Sequence, residues 1–136
     1  MANRIFRGNA NTQPVTVTAT LLADAKAGTL VKVTDAGLAI ATDATGRILV
    51  LNTQDYAGGT VEDVRKAGDT AEAFEVRKED KFLVRMASGA YTRGQALTIG
   101  ADGYLKSAGA TDPVFAFFDE ANRTLTAGAL ADVATA

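Results

Sequence analysis

Short apolar segments separated by turn-forming residues recur along this chain from residue 15 to its end. Val15 to Leu21 alternates apolar and hydroxyl side chains with a period of two, the pattern of a strand with one buried face. The other candidate strands are Leu30 to Val33, Leu38 to Ala41, Ile48 to Leu51, Phe74 to Val76, Phe82 to Met86, Leu97 to Ile99, Tyr104 to Leu105, Val114 to Phe118 and Leu130 to Val133. With 13 glycines for the turns, this pattern predicts an all-β fold, a small barrel or sandwich.

Two features leave alternatives open. The segment 60–67 starts with Thr60 to Asp63, which resembles a capping box, and Gly68 could end a helix of about two turns. A helix and a loop are both compatible with it. Gly28 to Val33 with Gly37 also matches Gly94 to Ile99 with Gly103 at an offset of 66 residues, which indicates either an internal repeat or the common pattern of small hairpins.

The first 14 residues differ from the rest of the chain. They are rich in Asn, Gln and Thr, and their charges are the two arginines Arg4 and Arg7. We therefore expect residues 1–14 to form an N-terminal arm that is extended or disordered in the free protein, and residues 15–136 to form a single β domain. Because Ile5 and Phe6 lie between the arginines in a segment with no fold of its own, we predict that Arg4, Ile5, Phe6 and Arg7 bind a partner surface.

Composition restricts the chemistry available. With neither histidine nor cysteine, the chain lacks the commonest general base, thiolate metal ligands, disulfides and every Ser-His or Cys-His nucleophile. Three adjacent acidic pairs, Glu62/Asp63, Glu79/Asp80 and Asp119/Glu120, are typical of solvated turns rather than of an acid/base couple. We predict that the protein is not an enzyme and has no metal or cofactor, although a carboxylate-based hydrolase would become possible if two acids met in a cleft.

Charge and hydropathy exclude further classes. The formal net charge of −2 disfavours nucleic-acid binding, because phosphate contacts need a basic surface. No apolar run approaches the roughly 20 residues that span a bilayer, and the start lacks a secretory h-region. We therefore expect no nucleic-acid or membrane partner, synthesis in a cytoplasm, and any later location to be reached by assembly.

The run Val114 to Phe118 carries three phenylalanines within five residues. Because a strand has only one inward face, Phe115, Phe117 and Phe118 are predicted to lie partly at a subunit interface. Tyr56, Tyr91 and Tyr104 lie near glycines, as turn tyrosines do, and could alternatively form a platform for stacking sugars.

Several stretches resemble a known family in their turns and strands: Ala67 to Phe74, Asp80 to Arg85, Tyr91 to Leu97, Gly100 to Leu105 and Ala127 to Val133. Over residues 15–136 the chain is similar to head decoration (cement) proteins of tailed phages. The resemblance implies a compact β-barrel or β-tulip fold, often trimeric, that binds the major capsid protein on the outer surface of the expanded head of a virion and stabilises it. The alternative is a receptor- or carbohydrate-binding β module of a phage fibre or spike, which exposed aromatic side chains would favour.

Overall fold

The computed structural model describes residues 4–53 and 60–136, and within them the chain forms fourteen β-strands, one 3₁₀ turn at Ala10–Thr12 and no α-helix. The strands are β1 Thr16–Thr20, β2 Ala25–Lys26, β3 Leu30–Thr34, β4 Gly37–Ile40, β5 Ile48–Leu51, β6 Val64–Arg65, β7 Thr70–Glu75, β8 Lys81–Met86, β9 Gly89–Tyr91, β10 Ala96–Ile99, β11 Leu105–Ser107, β12 Ala116–Phe118, β13 Arg123–Leu125 and β14 Ala129–Thr135. The all-β prediction is confirmed. In these two ranges no helix has the length and apolar character needed to cross a bilayer.

The second half of the chain closes into a five-stranded barrel. Its strand order is β10-β11-β8-β14-β12, and β12 pairs back with β10. Every pairing is antiparallel except that of β11 with β8, where Leu105 lies opposite Met86 in parallel. The barrel predicted from the many short strands is therefore present, within residues 81–135.

The first half forms a five-stranded sheet with the order β1-β7-β5-β3-β4. Its two edge strands meet just beyond the end of β1, where Leu21 and Leu38 form a parallel bridge and the Leu22 amide donates to the Leu38 carbonyl over 2.9 Å. The sheet is therefore nearly closed: its edges join at one end and diverge at the other.

The two halves repeat the same connectivity. Strands β1, β3, β4, β5 and β7 correspond in order and pairing to β8, β10, β11, β12 and β14, and the small ribbon of β2 with β6 corresponds to that of β9 with β13. Loop hydrogen bonds repeat as well: Gly28 N–H donates to the Leu51 carbonyl over 2.8 Å, and Gly94 N–H donates to the Phe118 carbonyl over 2.7 Å. The match between the two glycine-led hairpins in the sequence therefore belongs to a duplication that spans both halves.

The halves share a hydrophobic core. A smaller cluster, including Leu21, Val31 and Leu49, fills the first sheet. The larger cluster fills the second barrel and continues into the first half through residues such as Leu30 and Phe74. At this boundary the buried guanidinium of Arg85 donates to the carbonyls of Ala27, Val61 and Gly128, so that one side chain links β8 to three loops. A buried donor or acceptor without a hydrogen-bond partner destabilises a fold, and these three hydrogen bonds give the guanidinium and the carbonyls their partners.

The segment 60–67 is not helical. Asp63 accepts a hydrogen bond from the Thr60 amide at 2.8 Å, which closes a turn, and Val64 and Arg65 then pair with β2 as strand β6. The Asp63 carboxylate, which resembled the last position of a capping box, therefore stabilises a turn. It does not start a helix, because the next two residues form strand β6.

Residues 5–7 lie along β8, which fits the extended rather than the disordered form expected for the N-terminal arm, but they are packed into the fold and not free. Ile5 and Phe6 are 1% and 4% exposed, and Phe6 bridges to Phe82 of β8. The Leu83 amide donates to the Ile5 carbonyl over 2.7 Å, and the Arg7 amide donates to the Lys81 carbonyl over 2.8 Å. The premise that Ile5 and Phe6 have no fold of their own to bury them is therefore wrong.

Candidate interaction surface

The three phenylalanines of the run Val114 to Phe118 have three different environments. Phe118 is 1% exposed and stacks on Tyr91 with ring centroids 5.5 Å apart, so its assignment to a subunit interface is wrong. Phe115 is partly buried against the larger core. Phe117 is 40% exposed on the outer face of β12, and it stays a candidate contact residue.

Strand register explains this separation. Ala116 and Phe118 point into the closed barrel because side chains alternate along a strand, so Phe117 must point outward. Its neighbours across the sheet are Ala134 on β14 and Ala96 on β10. These small side chains leave the ring standing above the surface of the barrel.

A depression of about 380 Å³ lies beside Phe117. Its walls are Phe117, Ala134 and Ala136 together with Lys78 and Lys81, whose aliphatic stems are suited to an apolar site with a charged rim. Val114, three residues before Phe117, is 42% exposed. We name the outer face of β8, β14 and β12 around Phe117 the Phe117 face.

Charged side chains border the Phe117 face. Lys81 also lines a second depression with Arg7, Asp119 and Asp132. Arg7 Nε lies 3.0 Å from an Asp132 carboxylate oxygen, and Lys81 Nζ lies 3.4 Å from Asp119. Such solvated pairs add little stability, about 0–1 kcal/mol each, so these charges can exchange their partners when another surface docks. Sequence patterns did not identify Lys81 and Asp132 as surface-site residues and assigned Asp119 to a solvated turn, because no local spacing brings the three together.

The four residues predicted to bind through the N-terminal arm are divided by the fold. Ile5 and Phe6 face the core and cannot contact a partner without leaving it. Arg4 and Arg7 remain exposed, and Arg7 lies at the border of the Phe117 face. Of this set only the two arginines are available at the surface.

Tyr91 and Tyr104 do not form the sugar-stacking platform considered from the sequence. Tyr91 is buried, donates its hydroxyl to the Ala87 carbonyl over 2.7 Å, and has a pKa raised by burial. Tyr104 is half-buried beside Gly128. Tyr56 lies outside the described residues. Within the described ranges the aromatic ring exposed at the surface is that of Phe117.

The acidic residues have local partners. Asp80 accepts from Arg77, and Glu120 from Arg123. Among residues 4–53 and 60–136 no group of three or more acidic side chains is arranged to hold a metal ion. The Phe117 face, a shallow apolar surface with a charged border, is suited to docking against another macromolecule.

No family model matches this chain, and no curated protein matches it in sequence. Among solved structures it is similar to the head fiber gp8.5 N base of bacteriophage phi29, with a TM-score of 0.59 and 19% sequence identity. The similarity covers 90% of this chain and 93% of that chain. The two chains therefore share a fold over almost all of the residues compared.

Proposed function

We propose that this protein is a structural, non-enzymatic component of a tailed-phage virion that binds the outer surface of the head and stabilises it as a decoration protein. The observation that carries the proposal is the similarity over 90% of the chain to the N base of a phage head fiber. The resemblance of residues 15–136 to head decoration proteins points to the same location. The proposed partner is the major capsid protein.

The Phe117 face is the proposed contact surface. An exposed aromatic ring, small flanking residues and a charged border are features that protein interfaces use. The face lies against the capsid shell or between the subunits of a homotrimer that forms there. Three copies engaged at once would raise the apparent affinity through avidity, so that a modest contact per copy suffices.

The second candidate is the base of a fibre or spike. The similarity to the phi29 domain favours it, since that domain is itself the base of a head fiber. On this alternative the chain still binds the head, but it serves as an anchor for a receptor- or carbohydrate-binding module. A decoration protein should raise the temperature at which heads disrupt, whereas a pure anchor should leave that temperature unchanged.

The test of the contact surface is the substitution Phe117→Asp. It places a carboxylate at the centre of the apolar depression, and we expect binding to bare, expanded heads to weaken at least tenfold, as for the loss of an interface anchor. The fold should persist because the side chain is exposed. Binding is measured by co-sedimentation of the protein with heads over a concentration series.

The matched control is Val64→Asp, which introduces the same charge at an exposed valine on β6, outside the Phe117 face. It should bind heads like the unsubstituted protein. If both variants bind equally well, the Phe117 face is not the contact surface. If the unsubstituted protein does not bind heads at all, the proposed function itself is wrong.

A further inference from the structure

The duplication makes β1 and β8 equivalent strands. Each pairs with its antiparallel neighbour through every second residue: the Glu75 amide donates to the Val15 carbonyl in the first half, and the Thr135 amide donates to the Asp80 carbonyl in the second. At the other end of each strand, the Gly68 amide donates to the Leu21 carbonyl, and the Gly128 amide donates to the Met86 carbonyl. These bonds place Thr16 and Thr18 of β1 at the positions of Lys81 and Leu83 of β8.

In the second half the outer edge of β8 is occupied. The backbone groups of Lys81 and Leu83 point away from β14, toward the N-terminal segment. The Lys81 carbonyl accepts a hydrogen bond from the Arg7 amide, and the Leu83 amide donates one to the Ile5 carbonyl. Ile5 and Phe6 at the same time cover the apolar side of this edge. An extended segment thus completes the barrel where β8 and β11 diverge.

In the first half the equivalent edge has no occupant among the described residues. In this antiparallel pair, the backbone groups that face β7 belong to residues 15, 17, 19 and 21. The backbone N–H and C=O groups of Thr16 and Thr18 therefore point away from β7, toward the open edge. Within residues 4–53 and 60–136, β7 is the one strand that pairs with β1 along 16–20. Two amides and two carbonyls are therefore available for pairing.

Apolar surface accompanies this open edge. Val17 and Ala19 on β1 and Ile40 on β4 contact the core of the first sheet but are only partly buried. Val15, directly before β1, is 69% exposed. In the second half, the corresponding apolar surface is covered by Ile5 and Phe6.

The sequence of β1 lacks the usual protection of an edge strand. Thr16 to Thr20 contains no charge and no proline, and threonine and valine favour extended backbone. Natural proteins protect exposed edges with lysine, proline or bulges, because an open edge pairs readily with other chains. An edge without such protection is typical of a strand that is covered in the assembled state.

We propose that the outer edge of β1 is a strand-addition site for an extended segment of a different protein. Exchange of the N-terminal segment between copies would still leave one of the two equivalent edges open in each copy. We therefore assign the occupant to another protein. Given the proposed function, on which this step depends, it is an extended segment of the capsid shell protein, with an apolar side chain placed over Val17 and Ile40.

The test is hydrogen exchange of backbone amides in the unsubstituted protein, alone and bound to bare, expanded heads, resolved to single residues over 16–20. In the free protein the amides of Thr16 and Thr18 should exchange about tenfold or more faster than those of Val17 and Ala19, which bond to β7. On heads, Thr16 and Thr18 should slow by about tenfold or more. Binding without this slowing would overturn the strand-addition site and leave the proposed function intact.

Two further outcomes count against the site. Protection of Thr16 and Thr18 in the free protein that rises with protein concentration would assign the edge to a second copy of this chain. Failure of the protein to bind heads would overturn both proposals.

A pair of substitutions tests the same site independently. Thr18→Pro removes an amide that points away from β7, and proline is tolerated at such edge positions, whereas Thr18→Ala keeps the amide. We expect the proline variant to bind heads at least about fivefold more weakly than the alanine variant, with similar melting temperatures. Equal binding of the two folded variants would contradict the proposal, and if the proline variant does not fold, the exchange measurement decides.

Discussion

The rings of Phe6, Phe74 and Phe82 meet at the boundary between the two halves, with centroids 5.6 to 6.1 Å apart. Phe6 comes from the N-terminal segment, Phe74 from the first sheet and Phe82 from the second barrel. Sequence reasoning identified Ile5 and Phe6 as apolar residues in need of a partner but assigned that partner to another protein. Their actual partners lie about 70 to 80 residues away along the chain, and local patterns carry no information on such contacts.

The substitution Phe6→Ala tests this cluster. Removing a buried ring leaves a cavity between Phe74 and Phe82, and we expect the free energy of unfolding to fall by about 3–5 kcal/mol. Thermal or urea denaturation followed by circular dichroism measures the change. Arg4→Ala is the control, because Arg4 is exposed and its loss should leave stability unchanged. A Phe6→Ala variant as stable as this control would show that the segment is not docked in solution.

At the level of elements, alternation and glycine spacing predicted most of the strands. Val15 to Leu21 contains β1, and Phe82 to Met86 lies within β8. The segment 60–67 could not be assigned because a threonine followed by acidic residues satisfies a helix start and a tight turn equally well. Only the pairing of β6 with β2, about 40 residues earlier, decides between them.

The two equivalent turns at Gly28 and Gly94 give a matched pair of variants. Both glycines have positive φ, 89° and 83°, so alanine should cost about 1 kcal/mol of backbone strain at either position. A Cβ at Gly28 would lie 3.1 Å from the Leu83 carbonyl oxygen and 2.9 Å from Leu130, whereas a Cβ at Gly94 would meet no atom within 4 Å.

Gly28→Ala should therefore destabilise the protein by about 1–3 kcal/mol more than Gly94→Ala does. The comparison is made by urea denaturation of the two variants side by side. Equal losses would mean that the first turn is not packed against β8 and that the halves are less closely joined than the shared core indicates.

For the whole molecule, composition and pattern predicted the fold class but not its organisation. The 66-residue match between Gly28 to Val33 and Gly94 to Ile99 is the trace of a duplication that becomes evident only from strand pairing, since the corresponding strands differ in sequence. Likewise, the contact surface could be predicted only in part. Three clustered phenylalanines indicated an exposed ring, but the barrel's register determines that it is Phe117.

Binding of this protein to a phage head is tested by adding the purified protein to bare, expanded heads and imaging the particles by cryo-electron microscopy. We expect extra density on the outside of the shell, at symmetry-related positions and at a fixed ratio to the shell subunit, with the Phe117 face or the outer edge of β1 against the shell. Heads that remain bare at saturating protein concentration, or density confined to the tail, would contradict it.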